Sequence, residues 1–501
     1  MMQYWLGIDC GGTFIKAGLY DQNGKEQGIA RSNLDVLCPE PGWAERDMAA
    51  LWHAMAGVIR ALLGTTGIHA GAIAGVGISA QGKGLFLLDK RRQPLGNGVL
   101  SSDQRSRRQV EQWRDQGMLR RIYPLTRQTL WTGHPVSILR WIKQHQPERY
   151  AGIGSILMAH DYLRFCLTGQ LGCEETNISE SNLYHMSERR YDAALAQWLG
   201  IPEAIAALPP VVGSSDIVGA ITPQAAEYTG LLAGTPVVGG LFDVVSTALC
   251  AGLHDESRLN AVMGTWAVTS GIARDITGDE SYPYVYGRHA ETDRYIVHEA
   301  SPTSAANMEW FARQWGLTDY SLLNDAVAAL PKAAGSVLFV PFLYGSNAGR
   351  GMSAGFYGLQ SYHQRAHLIQ AIYEGVVFSH MTHINRMRQR FPRAGALRVT
   401  GGPARSRPWM QIMADVSGLP VELPQMEETG CLGAALAAMV GTGLFTDFAV
   451  AQHMLSPALT LITPDRDAQA AYQDKYHAYL SLIQALDGLS RPVSSDRCFS
   501  C

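Results

Sequence analysis

Charge is scarce in this chain. Only 17% of its 501 residues are charged, with 41 basic against 44 acidic and a net charge of −3. Soluble domains usually carry ~25%. There is no basic excess of the kind that a dedicated nucleic-acid binder needs. Because 47% of the residues are hydrophobic, the chain can bury large cores, which excludes disorder for most of it. Cysteine is thin as well. The eight cysteines, at positions 10, 38, 166, 173, 250, 431, 498 and 501, are scattered. Cys498-Phe499-Ser500-Cys501 is a CxxC with no partner pair for zinc, and reads as a frayed tail. The N-terminus, Met1 to Gly7, lacks a basic region and meets Asp9 too early for a signal peptide. Long apolar runs are missing too. One long charge-free stretch, Thr429–Thr446, is rich in Gly and Ala without interfacial anchors, so a buried helix is expected there. These absences point to a cytoplasmic, reduced enzyme with no nucleic-acid or membrane partner, large enough for two lobes.

What is present is α/β alternation. Tyr4–Asp9 and Thr13–Tyr20 are apolar runs joined by Cys10-Gly11-Gly12, a hairpin signal. Asn23-Gly24 turns the chain into a third antiparallel strand over Gln27–Arg31. Met48, Leu51, Trp52, Met55, Ile59, Leu62 and Leu63 fall at helical spacing behind Asp47, a plausible N-cap. Ile73–Ser79 reads as a buried strand and Leu85–Leu88 as another, giving an α/β unit with a mixed sheet. Halfway along, Leu259–Met263, Gly264-Thr265 and Trp266–Ser270 repeat the strand, turn and strand. A lobe boundary is expected just after Asp243, giving lobes over 1–246 and 247–501. The apolar helix Ala470–Leu486 could belong with either.

Three stretches carry chemistry. Ile8-Asp9-Cys10-Gly11-Gly12-Thr13 ends a strand in a carboxylate, followed by bare backbone and a hydroxyl. Such a turn can cradle phosphate oxygens, and Asp9 can hold hydrated Mg²⁺. No Gly-Lys-Ser/Thr closes it, so it is not a Walker loop, and it is not a GxGxxG. Alone it would be an ordinary Gly-rich hairpin; the second Gly-Thr turn at Gly264-Thr265 makes a phosphate clamp the better reading. In Thr400-Gly401-Gly402-Pro403-Ala404-Arg405-Ser406, a strand ends in Gly-Gly before a helix opened by Ser406 with Pro408 in its first turn. Bare backbone there admits a flat ring such as adenine. The third stretch is Gly239-Gly240-Leu241-Phe242-Asp243, an apolar strand ending in a lone carboxylate before a helix. Asp243 can reach a sugar hydroxyl or cap the helix, or do both.

Taken together, residues 4 to 445 resemble the FGGY carbohydrate kinases. Gly7 to Ala17, through Asp9, Gly11, Gly12, Thr13 and Lys16, is similar to their first phosphate motif. Met263-Gly264-Thr265 resembles the second and Gly401–Gln411 the adenosine motif. Ala354–Leu359 with His367–Glu374, and Asp161–Gly169, match further family patterns. One departure stands at Ile138, where the family usually has Lys. The resemblance implies a two-lobed, actin-like (ribonuclease H-like) α/β fold with duplicated mixed-sheet domains and a central cleft. It implies ATP and Mg²⁺ as cofactors, with ATP on Gly11, Gly12, Thr13, Lys16, Gly264, Thr265, Gly401, Gly402 and Ser406 and the metal on Asp9. Asp243 becomes the catalytic base, and Gln81, Lys83, Asp103 and His134 the sugar contacts.

Each buried sugar hydroxyl must be paired, which suits neutral and anionic side chains at such positions. The structural alternatives are an exposed turn for Asp103 and a satisfied surface histidine for His134. Within the family, the Asp-Cys-Gly-Gly-Thr variant and the surroundings of Gln81 and Asp103 are most similar to the kinases of L-xylulose and 3-keto-L-gulonate. That implies phosphorylation of L-xylulose at its terminal hydroxyl, with 3-keto-L-gulonate as a further substrate. The expected partners are the sugar, ATP and a second copy of the chain in a homodimer. Two alternatives stay open here: a kinase for another ketose or polyol (D-xylulose, L-ribulose, glycerol), and an actin- or Hsp70-like ATPase without sugar chemistry.

Overall fold

The structure, a computed structural model, describes residues 2–317, 319–348, 352–426 and 428–489. The Cys498–Cys501 motif lies outside them. Two compact units share the chain. The first takes Met1–His254, Ile272–Val297 and Met426–Pro457, the second Asp255–Gly271, His298–Gln425 and Ala458–Cys501.

In the first unit, β1 (Tyr4–Cys10) and β2 (Phe14–Asp21) form the hairpin that the glycines signal, and β3 (Glu26–Asn33) follows a turn in which Gly24 takes φ 69°. α1 (Met48–Thr66) opens on Asp47, whose carboxylate accepts the Ala50 N–H, and stops at Gly67 in the left-handed region. By length and composition α1 could cross a membrane. Here Leu51, Met55, Ile59 and Leu62 are instead buried in a core shared with β1 and β2. β4 (Ile73–Ala80) runs parallel to β1. With β5 (Ile217–Ala220), β6 (Pro236–Val238) and β7 (Leu241–Phe242) the sheet runs β5-β6-β4-β1-β2-β3, and β7 pairs with β4 beyond β6. The strand Phe86–Asp89 stays outside this sheet and pairs with Ile153–Leu157. α2 (Asp243–Cys250) follows β7 directly.

The charge-free stretch is a buried helix, Thr429–Gly441. It lies on the backbone of β1 and β4. A Cβ at Gly7 would overlap the Cys431 carbonyl, and one at Gly77 the Ala434 carbonyl. On its other side Gly433 admits Ser246 of α2. Small residues on both partners make this approach possible, as the sequence suggests.

The second unit holds most of a second mixed sheet. β8 (Arg258–Met263) and β9 (Ala267–Ala273) are antiparallel, joined by Gly264–Trp266. With β10 (Val285–Arg288), β11 (Tyr295–Ser301), β12 (Ala396–Thr400), β13 (Val421–Pro424) and β14 (Leu459–Ile462), the order is β10-β11-β9-β8-β12-β13-β14. β12 is parallel to β8, so the trio β9-β8-β12 repeats β2-β1-β4 in order and direction. The duplication expected from two Gly-Thr turns is thus real at the level of topology. α3 (Arg365–Arg390) and α4 (Arg407–Ser417) pack in this unit. α5 (Arg466–Leu489) packs on both, which assigns the last apolar helix to the second unit.

Candidate active site

Parallel strands end level with one another, and the first unit uses this. Across β1, β4 and β7, Asp9 pairs in register with Ser79, and Ser79 with Leu241. The chain leaves β4 at Gln81, whose N–H donates to the Cys10 carbonyl at 3.0 Å, and leaves β7 at Asp243. Asp9, Gln81 and Asp243 therefore stand at one edge, beyond the carboxyl ends of parallel strands, where open α/β sheets bind ligands.

The Gly11–Thr13 turn is closed by the Gly11 N–H to Phe14 carbonyl bond, 2.9 Å. Arg46, buried beneath it, donates to the carbonyls of Gly11 (3.3 Å) and Gly12 (2.6 Å). With those carbonyls tied back, Gly12 and Thr13 are exposed. Lys16 faces Asp9 across the hairpin and gives its ammonium to Glu428 at 2.6 Å. Burial pushes the Asp9 carboxyl up to about 6, with Lys16 opposing and Glu428 adding to the rise. One buried oxygen, Oδ1 of Asp9, has no hydrogen-bond partner. Among the described residues no three His, Cys, Asp or Glu side chains gather as a self-sufficient metal site. A lone, unpartnered carboxylate oxygen fits Mg²⁺, which keeps several waters and takes phosphate oxygens as its other ligands.

Asp243 is the first residue of α2; the cap position belongs to Phe242, so Asp243 is not the N-cap that the sequence allows. Its carboxylate still accepts the Val244 N–H. Burial, and next the charge of Asp9, push the Asp243 carboxyl up to about 8, while the Val244 N–H and Lys83 pull the other way. The residue as a whole is half-buried. A carboxyl raised this far is largely protonated at pH 7, yet it titrates close enough to neutrality to exchange a proton with a substrate hydroxyl.

The sugar-side residues differ among themselves. The Gln81 amide nitrogen is buried without a partner. Lys83 takes φ 62°, its N–H bonded to Asn177 Oδ1 at 2.9 Å, and its ammonium lies 2.5 Å from Glu180. His134 is buried, not on the surface, with Nδ1 3.1 Å from Asn182 Nδ2. The segments meet: Gly84 N–H donates to the Gly133 carbonyl at 3.0 Å. Asp103 is also fully buried, where an exposed turn was the alternative. Both its oxygens are engaged, by Ala44 N–H at 2.7 Å and by the backbone and guanidinium of Arg105 at 2.9 Å. Arg105 is in turn bonded to Glu45 and lies 3.9 Å from the Trp43 ring centroid. Asp103 thus braces Arg105 and the Ala44 backbone from within.

In the second unit, Gly401 takes φ 103° and a Cβ there would overlap the Met263 carbonyl, so the Gly401-Gly402 turn sits beside Gly264-Thr265. Thr265, Gly401 and Gly402 are exposed. Ser406 is not: its hydroxyl bonds Asn324 at 2.6 Å and caps α4 through the Trp409 N–H at 3.3 Å. It shapes the turn from beneath. The Gly264 carbonyl accepts the Ala305 N–H, 3.1 Å, from a loop held to α3 by Ser304–His380 (3.0 Å) and Ser301–His383 (2.7 Å). Burial lowers His380 to about 3 and His383 to about 4, so both act as neutral partners. Arg46, Glu180, Asn177 and these two histidines were not singled out from the sequence. Asn177 and Glu180 lie in the polar run Glu174–Asn182, which the fold buries throughout.

Comparison with known proteins identifies the family. The model for the N-terminal domain of the FGGY family of carbohydrate kinases matches residues 4–250, and that for its C-terminal domain matches 259–442. The chain is 63% identical over 97% of its length to the L-xylulose/3-keto-L-gulonate kinase of Escherichia coli strain K12, covering 98% of that protein. It is 59% identical to the probable L-xylulose kinase of Pasteurella multocida strain Pm70, with 97% and 100% covered. Among solved structures, a ligand-bound xylulose kinase from Lactobacillus acidophilus shares the fold at TM-score 0.89 and 22% identity, with 97% and 99% covered. A sugar-free ATPase of the same fold class is thereby set aside. Domain models over both halves and near-complete relatives leave one assignment: this chain belongs to the FGGY family of carbohydrate kinases.

Proposed function

We propose that this kinase transfers the terminal phosphoryl group of ATP to the 5-hydroxyl of L-xylulose, giving L-xylulose 5-phosphate, and that it also accepts 3-keto-L-gulonate. The observation that carries the reading is the 63% identity, sustained over 97% of the chain, to an enzyme named for both sugars. Residues 1–246 supply the sugar chemistry and 247–501 the adenosine recognition, in the cytoplasm, where ATP is at hand.

Asp243 accepts the proton of the attacking hydroxyl. Its carboxyl sits at about 8, so the proton-accepting carboxylate form grows as pH rises through that value. Gln81, Lys83 and His134 bind the sugar hydroxyls, and Asp103 braces Arg105. The turns Gly11-Gly12-Thr13 and Gly264-Thr265 offer backbone N–H groups and hydroxyls to phosphate oxygens, with Lys16 and Glu428 setting the local charge. Gly401-Gly402 leaves room for the adenosine. Asp9 holds Mg²⁺ through its unpartnered oxygen, directly or through water, and the ion supplies charge neutralisation on the phosphates.

The test is kcat/KM for L-xylulose, 3-keto-L-gulonate, D-xylulose, L-ribulose and glycerol under one set of conditions, read as sugar-dependent ADP release. L-xylulose is expected to lead, with epimers weaker by roughly 5–150-fold where a buried polar group loses its partner, at ~1–3 kcal/mol each. A clear lead for D-xylulose or glycerol would overturn the substrate and leave the family standing.

A further inference from the structure

Two cations flank the sugar-side residues, and Lys83 is the one that lies against Phe242, beside Asp243. Arg105 is held by Asp103 and Glu45 and covered by Trp43. The Lys83 ammonium lies 5.5 Å from the ring centroid of Phe242, the residue before Asp243, and 6.0 Å from that of Trp131. Its backbone is held in the left-handed region and pinned by Asn177, so the side chain is aimed rather than free to wander. Glu180 is wholly buried and receives that ammonium at 2.5 Å. It cannot swing away, because a strand lies against it: a Cβ at Gly287 of β10 would overlap its other oxygen. Both charges of the pair act on Asp243, in opposite senses.

A buried lysine beside a sugar site would by itself attract sugar acids. A buried carboxylate locked to it cancels that attraction and repels a second carboxylate, a built-in element against the charged ligand. We propose that Glu180 is a specificity-determining residue: by holding the Lys83 ammonium it biases the site toward uncharged ketoses and against sugar acids. This deepens the reading of the chain as a kinase for L-xylulose and 3-keto-L-gulonate, and rests on it.

The experiment measures kcat/KM for L-xylulose and for 3-keto-L-gulonate in wild type, Glu180→Gln and Glu180→Asp, with thermal melting to check folding. In Glu180→Gln the ratio of sugar acid to ketose is expected to rise roughly 10–100-fold, as one like charge is removed at close range in a partly buried site. Glu180→Asp keeps the charge and lengthens the pair, so it shifts the ratio the same way by less, and serves if the Gln variant fails to fold. Lys83→Gln should lower the ratio in either background. A folded Glu180 variant whose ratio is unchanged or falls overturns the proposal. If wild type phosphorylates both sugars and the variants leave the ratio alone, only the role of Glu180 is lost. If wild type phosphorylates neither, the underlying reading falls, and the role of Glu180 with it.

Discussion

Gly430 stands so close to Asp9 that a Cβ on it would overlap the Asp9 carboxylate. The first turn of the helix Thr429–Gly441 therefore faces the carboxylate with bare backbone, and the helix N-terminus favours its negative charge. Gly430→Ala must push either the helix or Asp9. Overpacking of this kind costs about 1–3 kcal/mol, measurable as a lower Tm. The same variant is expected to need more Mg²⁺ for half-maximal activity. A variant with wild-type Tm and Mg²⁺ dependence would show that the two groups do not constrain each other.

Asp243→Asn removes the proton acceptor and keeps the shape. Sugar and nucleotide binding should persist while kcat drops by about 10²–10⁴-fold. In wild type, kcat/KM for the sugar should climb as pH rises through the Asp243 value of about 8, because only the ionised carboxylate accepts the proton. Retention of that acid limb in Asp243→Asn would assign it to another group.

Stability should depend on pH in the less common direction at this residue. Burial raises Asp243 from 3.8 to about 8, so the folded chain binds its proton more tightly than the unfolded chain does. The associated stabilisation is fully present below the unfolded value and is lost as pH rises through the folded one. Asparagine does not ionise. The Tm of Asp243→Asn minus that of wild type should thus grow between pH 5 and pH 9, and a difference that shrinks would contradict the assignment.

Thr13 and Thr265 are exposed at the tips of equivalent hairpins. Alanine at either should leave Tm unchanged and raise the KM for ATP by roughly 2–10-fold, the worth of one hydrogen bond at about 0.5–1.5 kcal/mol. Gly401→Ala differs, since its φ of 103° and the Met263 carbonyl both oppose a side chain; it should lower Tm and raise the KM for ATP together. Calorimetry with steady-state kinetics separates the two patterns.

Local signals were legible wherever backbone chemistry writes them. Asn23-Gly24, the Asp47 cap and the Ser406 cap all behave as their residue types require. The carboxylates at strand ends, Asp9 and Asp243, were legible for the same reason. What the sequence hides is long-range pairing. Nothing near Asp103 announces that the Ala44 N–H takes one of its oxygens, nor near Arg46 that it braces a turn formed by Gly11 and Gly12. Glu180 looks like one more surface acid until the fold closes around it. The strand Leu85–Leu88 was legible as a strand, yet its partner Ile153–Leu157 depends on the path of the intervening helices.

The glycine-lined contact between the helix Thr429–Gly441 and strands β1 and β4 joins residues made early in synthesis to residues made late. At about 5–20 residues per second, roughly 20–70 s separate Ala80 from Gly441 on the ribosome. Through that interval the first sheet carries an uncovered apolar face on the nascent chain. A released N-terminal half would keep that face permanently, so its solubility should depend on supplying the missing helix as a separate peptide.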